Sequence, residues 1–148
     1  MNEEYAMNTL YDQKNERVTR NVQNLIALYD EMFNQKKPLE AARKYLSPNY
    51  IQHNPFLPDS ADGTGGAFEK RLESFPKMRV KVHRIIAHGD YTWAHVNFFN
   101  IYNNDPDDLG TAGIDIFKFD DNGLILEHWD VLQEVAHPSK SANLNGMF

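Results

Sequence analysis

Asp115 stands among aliphatic and aromatic neighbours in GIDIFKF, and His128 and Asp130 stand two residues apart in EHWD. These are the residues whose types and spacing best suit acid/base chemistry. A carboxyl on an apolar face must be paired or carry a raised pKa, and a raised carboxyl can work as a general acid or base near neutrality. The segments flank DDNG, so the turn decides which residues meet. A two-residue Asn122-Gly123 turn sets Asp115 opposite Asp130. A four-residue DDNG loop sets Asp115 opposite His128, with Asp130 on the same face. A three-residue loop flips the second strand and gives Asp115 the company of Glu127 and Trp129 instead. Asn-Gly is the strongest short hairpin signal, so the even loops and the cluster Asp115, His128, Asp130 are preferred. The alternative for Asp115 is a sheet edge, facing solvent or accepting hydrogen bonds from neighbouring strands.

Further candidates are binding residues. His53-Asn54-Pro55 precedes a long irregular loop, a usual mounting place for binding groups. In the segment after Gly89-Asp90, one alternation places Trp93, His95, Asn97 and Phe99 on a single face, an aromatic wall with two hydrogen-bonding groups that suits a flat oxygenated ligand. The competing reading is an ordinary two-sided core strand. Phe117 and Trp129 join as apolar lining, with core filling as the other reading for Trp129. His83 and His137 are read as surface residues. The His and Asp residues also invite comparison with a two-His, one-carboxylate iron site, but H-x-x-x-H and H-E-x-x-H spacings are absent and no metal is expected. G-x-S-x-G, G-x-G-x-x-G and P-loop patterns are absent too. DGTGG reads as a flexible loop ahead of a helix.

The elements that must position these groups follow from periodicity. Val18, Val22, Leu25, Ile26, Tyr29, Met32 and Phe33 recur at helical steps and predict a helix from Asn15 to Gln35. Pro38 opens a second helix through Leu46, stopped by Pro48. A short extended stretch, Tyr50 to His53, leads into the loop, and a third helix runs from Ala67 to Phe75. Beyond Met78 the period becomes two, predicting strands at 79–87, 91–102, 111–119 and 124–133 joined as an antiparallel meander. The fold class is therefore α+β, three N-terminal helices against a curved antiparallel sheet of four or more strands. Strands apolar on both faces call for a cover on the outer face, and a homodimer partner supplies it.

The chain has 148 residues, a single-domain length, with a loose start at 1–14 and a tail at 136–148. Its formal charge of -6 has the wrong sign for tracking nucleic acid or anionic lipid. It has no cysteine, which excludes disulfides and thiolate chemistry and agrees with a reducing cytoplasm. Signal-peptide patterning and any apolar run near the ~20 residues of a bilayer span are missing, so a soluble cytoplasmic protein is expected. The tail ends in Met147-Phe148, and Phe148 is predicted to pack back over the mouth of the fold or across a dimer seam.

YIQHNP at 50–55, IIAHGDYTWAHV at 85–96, GIDIFKFDDNGLILEHWDVLQ at 113–133 and the terminal ANLNGMF together resemble the SnoaL-like polyketide cyclase family. The resemblance covers roughly residues 15–148. It implies the cone-shaped NTF2-like fold, a hydrophobic small-molecule ligand, and chemistry without metal or cofactor. It also implies that Asp115, matching the aspartate of the family's GIDIF segment, is the acid/base. The function expected is a cyclase or isomerase of the aldol type acting on a polyketide-like or other carbonyl compound. Asp115 would take a proton α to a carbonyl while His53, His95 or His128 hydrogen-bonds the enolate oxygen. The alternative is a small-molecule-binding module without chemistry.

Overall fold

The computed structural model describes residues 9–148. Helix α1 (Glu16–Tyr29) starts where the Asn15 side chain accepts the Val18 N–H at 3.1 Å, and it buries the stripe Val18, Val22, Leu25, Ile26 and Tyr29. It widens into a π-helical turn, Asp30–Asn34, so the expected helical span to Gln35 is nearly filled. Pro38 opens α2 (Pro38–Tyr45), after which the chain extends at once into β2 (Leu46–Gln52). The strand is longer than expected, and it takes Leu46 from the helix.

Helix α3 (Ala61–Ser74) corrects one expectation. DGTGG is helical. Ser60 caps it by accepting the Gly63 N–H at 3.0 Å, and Gly65 lies flush against α2, where a Cβ would stand 2.6 Å from that of Ala42. Here glycine serves close helix contact rather than loop freedom.

Strands β3 (Arg79–His88), β4 (Tyr91–Phe99), β5 (Thr111–Phe119) and β6 (Ile125–Glu134) form the expected meander. The strand expected to reach Tyr102 stops at Phe99, before Asn100 at φ 52. The sheet is mixed, because β1 (Thr9–Leu10) adds in parallel to β3 and β2 adds in parallel to β6, giving the order β1-β3-β4-β5-β6-β2. Of the start expected to be loose, residues 1–8 lie outside the described residues, while Thr9–Leu10 pair with Ile85 and Ile86. The inner face of the sheet, with Val80, Val82, Ile85, Ala94, Val96 and Phe98, closes on α1 in one core. Among the described residues no helix is long and apolar enough to cross a membrane. Phe148 does pack back, stacking on His83 at 4.2 Å and His95 at 5.1 Å. Both rings belong to the outer side of the sheet, so the tail does not close the mouth of the cone.

Candidate active site

The β5–β6 hairpin sets the centre of the site. Asp115 pairs directly with Asp130, and Phe117 with His128. This is the register expected of a two-residue turn, reached by another route. Asp120 N donates to Leu124 O, so Asp121, Asn122 and Gly123 make a three-residue loop with Gly123 at φ 79. The register then shifts between Lys118 and Phe119, where β6 inserts Leu126 as a bulge. The bulge undoes the flip that the odd loop alone would impose.

Asp115, only 2% exposed, is held from two sides. Tyr29 Oη donates to its Oδ2 at 2.5 Å, and His128 Nε2 stands 3.0 Å from its Oδ1. The protonation of this pair follows from the next neighbour. Gln52 Oε1 accepts the Asn54 backbone N–H at 2.9 Å, which fixes that atom as oxygen, and it lies 2.7 Å from His128 Nδ1. Nδ1 therefore carries a proton. For Nε2 and Oδ1 to meet at 3.0 Å, a second proton must lie between them, on the histidine beside a carboxylate or on the carboxyl beside a neutral imidazole. Either way the pair is neutral and shares one movable proton. Phe117 stacks on the His128 ring at 4.7 Å and keeps its plane fixed.

Asp130 is the less buried carboxylate; Asn54 Nδ2 donates to its two oxygens at 3.0 and 2.8 Å, and His128 Nε2 stands 3.8 Å from its Oδ2. Burial pushes its pKa up; the Asn54 hydrogen bonds and the charge of His128 oppose that rise, and the charge of Asp115 adds to it. Burial and Asp115 also push the Tyr29 hydroxyl well above its ordinary value, so it stays a donor. These groups line the floor of a cavity of ≈ 720 Å³, open mouth included, whose walls are Leu28, Met32, Phe33, Phe68, Phe98 and Leu132. Ligand atoms of Asp115, His128 and Asp130 all lie within 4.8 Å of one another, so the trio is also the set that could hold a metal ion.

Thus Asp115, His128, Asp130, Asn54 and Phe117 are brought together. Six other candidates are placed elsewhere, on the outer face. Strand β4 turns Thr92, Ala94, Val96 and Phe98 inward, which sends Trp93, His95, Asn97 and Phe99 outward, away from the cavity. His95 lies against Arg84 and Phe148; burial and the Arg84 charge lower its pKa, against a hydrogen bond to the Met147 backbone. Asn97 holds the Leu109 carbonyl at 3.1 Å, and Phe99 lies under the Arg79 guanidinium. Alternation along β2 points Tyr50, Gln52 and Asn54 inward and His53 outward, where it stacks on Trp129 at 4.7 Å and meets Glu127 at 3.2 Å. Tyr29 and Gln52 were not among the expected site residues. The signals were available: Tyr29 is a polar tip on an apolar helical stripe, and Gln52 shares strand parity with Asn54.

With this geometry in view, residues 23–138 match the family model described as SnoaL-like polyketide cyclase. The chain belongs to the SnoaL-like polyketide cyclase family. Among solved structures, this family member is similar to a candidate polyketide cyclase from Bacillus cereus, at 19% identity and a TM-score of 0.68, covering 84% of this chain and 83% of that one. It is similar to a candidate SnoaL-like polyketide cyclase from Jannaschia sp. at 17% identity and a TM-score of 0.66, covering 82% and 91%. TsrD from Streptomyces laurentii matches at 21% and 0.59, covering 82% and 90%. At such identities the likeness is one of fold, the NTF2-like α+β cone. No curated protein matches the sequence.

Proposed function

We propose that this SnoaL-like protein is an acid/base enzyme that enolises a small carbonyl compound and closes or rearranges a ring by aldol chemistry. The observation that carries the reading is the 3.0 Å contact between His128 Nε2 and buried Asp115 Oδ1 at the floor of an apolar cavity. In the state with Asp115 ionised and His128 protonated, the carboxylate takes the proton α to the carbonyl and His128 Nε2 gives its proton to the carbonyl oxygen. The enol carbon then adds to a second carbonyl of the same molecule. The enol proton returns to His128 as the first carbonyl re-forms, and the new alkoxide takes the proton held by Asp115. Protons balance, and the pair ends as it began. Apolar walls exclude water that would otherwise solvate the base. Both proton transfers are carried by Asp115 and His128 alone.

The test is hydrogen–deuterium exchange α to the carbonyl of an aryl alkyl ketone in D2O, followed by proton NMR. Wild-type protein should accelerate it, and Asp115→Asn should abolish the acceleration. Added zinc should inhibit by occupying Asp115, His128 and Asp130. Tight binding with no exchange would support the binding-module alternative. We also propose a homodimer through the outer sheet face. In register, Ile86, Trp93, Ile116 and Trp129 form one apolar row across four strands, with Ile86 and Trp93 each 51% exposed.

A further inference from the structure

Arg71 is the one lysine or arginine side chain among the residues lining the cavity. It sits on the cavity face of α3 at the helical spacing Thr64, Phe68, Arg71, two turns beyond Thr64. Thr64 marks the floor, since its hydroxyl lies 3.3 Å from the Gln52 amide that orients His128. Two helical turns carry Arg71 about 10 Å away along the axis, toward the mouth. There its guanidinium is flanked by the rings of Phe68, at 5.7 Å, and Tyr102, at 5.0 Å. Among the described residues no carboxylate pairs with it. Its neighbours Glu69 and Glu73 point with the exposed side of α3. The other charges of the cavity are the neutral Asp115–His128 pair and Asp130.

We propose that Arg71 is the specificity residue for a substrate carboxylate, so that the substrate is an apolar keto acid with its acid group about 10 Å from the carbonyl that is enolised. The proposal rests on the acid/base reading for the carbonyl end and deepens it. Stacked rings hold the guanidinium by its faces and leave the N–H edge for planar, two-point contact with a carboxylate. A half-buried setting between aromatic rings strengthens such a contact relative to open water.

The test uses 9-oxo-9-phenylnonanoate, whose extended chain matches that separation of ketone and carboxylate, and its methyl ester as probes in isothermal titration calorimetry. Wild-type protein should bind the acid about tenfold more tightly than the ester, as a charge-assisted hydrogen bond implies. Arg71→Gln should erase that preference while leaving ester affinity within about twofold, and Arg71→Lys should keep part of it. Retained ester affinity also reports that the variant is folded. Equal binding of acid and ester to wild type, a preference that survives Arg71→Gln, or no binding of either probe would overturn the proposal. Asp115→Asn should lose α-exchange on the bound acid yet keep the acid preference. Failure of the enolisation reading alone would show as an intact acid preference without exchange in wild type.

Discussion

Asp115 is buried, and each of its oxygens has one close partner, the Tyr29 hydroxyl donating on one side and His128 Nε2 sharing a proton on the other. Tyr29→Phe leaves the buried Oδ2 without its donor, which should cost about 1–3 kcal/mol in urea unfolding. His128→Gln removes the movable proton and should lower α-exchange by about a hundredfold or more, the usual worth of a positioned acid/base. Asp130 makes a different prediction. Its pKa is raised in the folded protein, chiefly by burial, so its ionised form is disfavoured there. Below about pH 3.9 the carboxyl is protonated in both folded and unfolded chains and contributes nothing. As pH rises above that value the unfolded chain ionises first, and stability is lost until the folded carboxyl ionises too. Asp130→Asn should therefore raise the melting temperature at pH 7 and leave it nearly unchanged at pH 3, measured by circular dichroism. A loss of stability at pH 7 would show that the Asn54 contact outweighs the cost of burial.

At the scale of elements, α3 separates two uses of glycine within one helix. Gly65→Ala drives a methyl group to 2.6 Å from the Ala42 Cβ and 3.1 Å from the Leu39 Cα, forcing α2 and α3 apart. A cost of about 1–3 kcal/mol follows from overpacking of this kind. At Gly66 a Cβ meets nothing within 4 Å, so Gly66→Ala should stabilise by about 0.5–1 kcal/mol through helix propensity. Opposite shifts in melting temperature from adjacent substitutions would check both. The same helix shows why part of the fold was illegible in the sequence. Glycine and proline density reads as a loop, because the α2 surface that makes Gly65 necessary is absent from local pattern. Strand β4 failed for a related reason. Large apolar side chains lie on both of its faces, and the Thr92, Ala94, Val96, Phe98 face is the inner one because it meets α1, where Phe98 packs on Tyr29, a tertiary contact that local pattern does not contain. By contrast, the Asp115 cluster was legible because an acid in an apolar strand and an Asn-Gly turn are both local signals. The bulge at Leu126 has no such signal, and the expected register was met only because loop and bulge offset each other.

For the whole molecule, the outer face of the sheet decides whether one chain is the working unit. Strands β4 and β5 have nine residues each. Four strands about 4.8 Å apart, at about 3.3 Å per residue, give a face on the order of 19 by 30 Å, roughly 570 Å² before side-chain relief. A stable interface buries about 800 Å² per partner, so the flat four-strand area alone falls short and the projecting side chains must supply the remainder. Its middle carries the row Ile86, Trp93, Ile116, Trp129, and the next row places Ile114 beside Val131, which is 75% exposed. Charges flank it on two sides: Lys118 pairs with Glu127 in the row before Trp93, and Arg84 stands at the β3 end of the row that holds Ile114 and Val131, against His95. Light scattering of the wild-type protein should give twice the chain mass of 17.1 kDa. Val131→Glu sets a carboxylate next to Ile114 in the face, and burying that charge costs more than the apolar contact it replaces, so the mass should fall to that of one chain. The cavity opens on the opposite side of the sheet, and the variant should bind the ester probe as wild type does. A wild-type mass of one chain would refute the dimer, and an unaltered dimer in Val131→Glu would move the interface off this face.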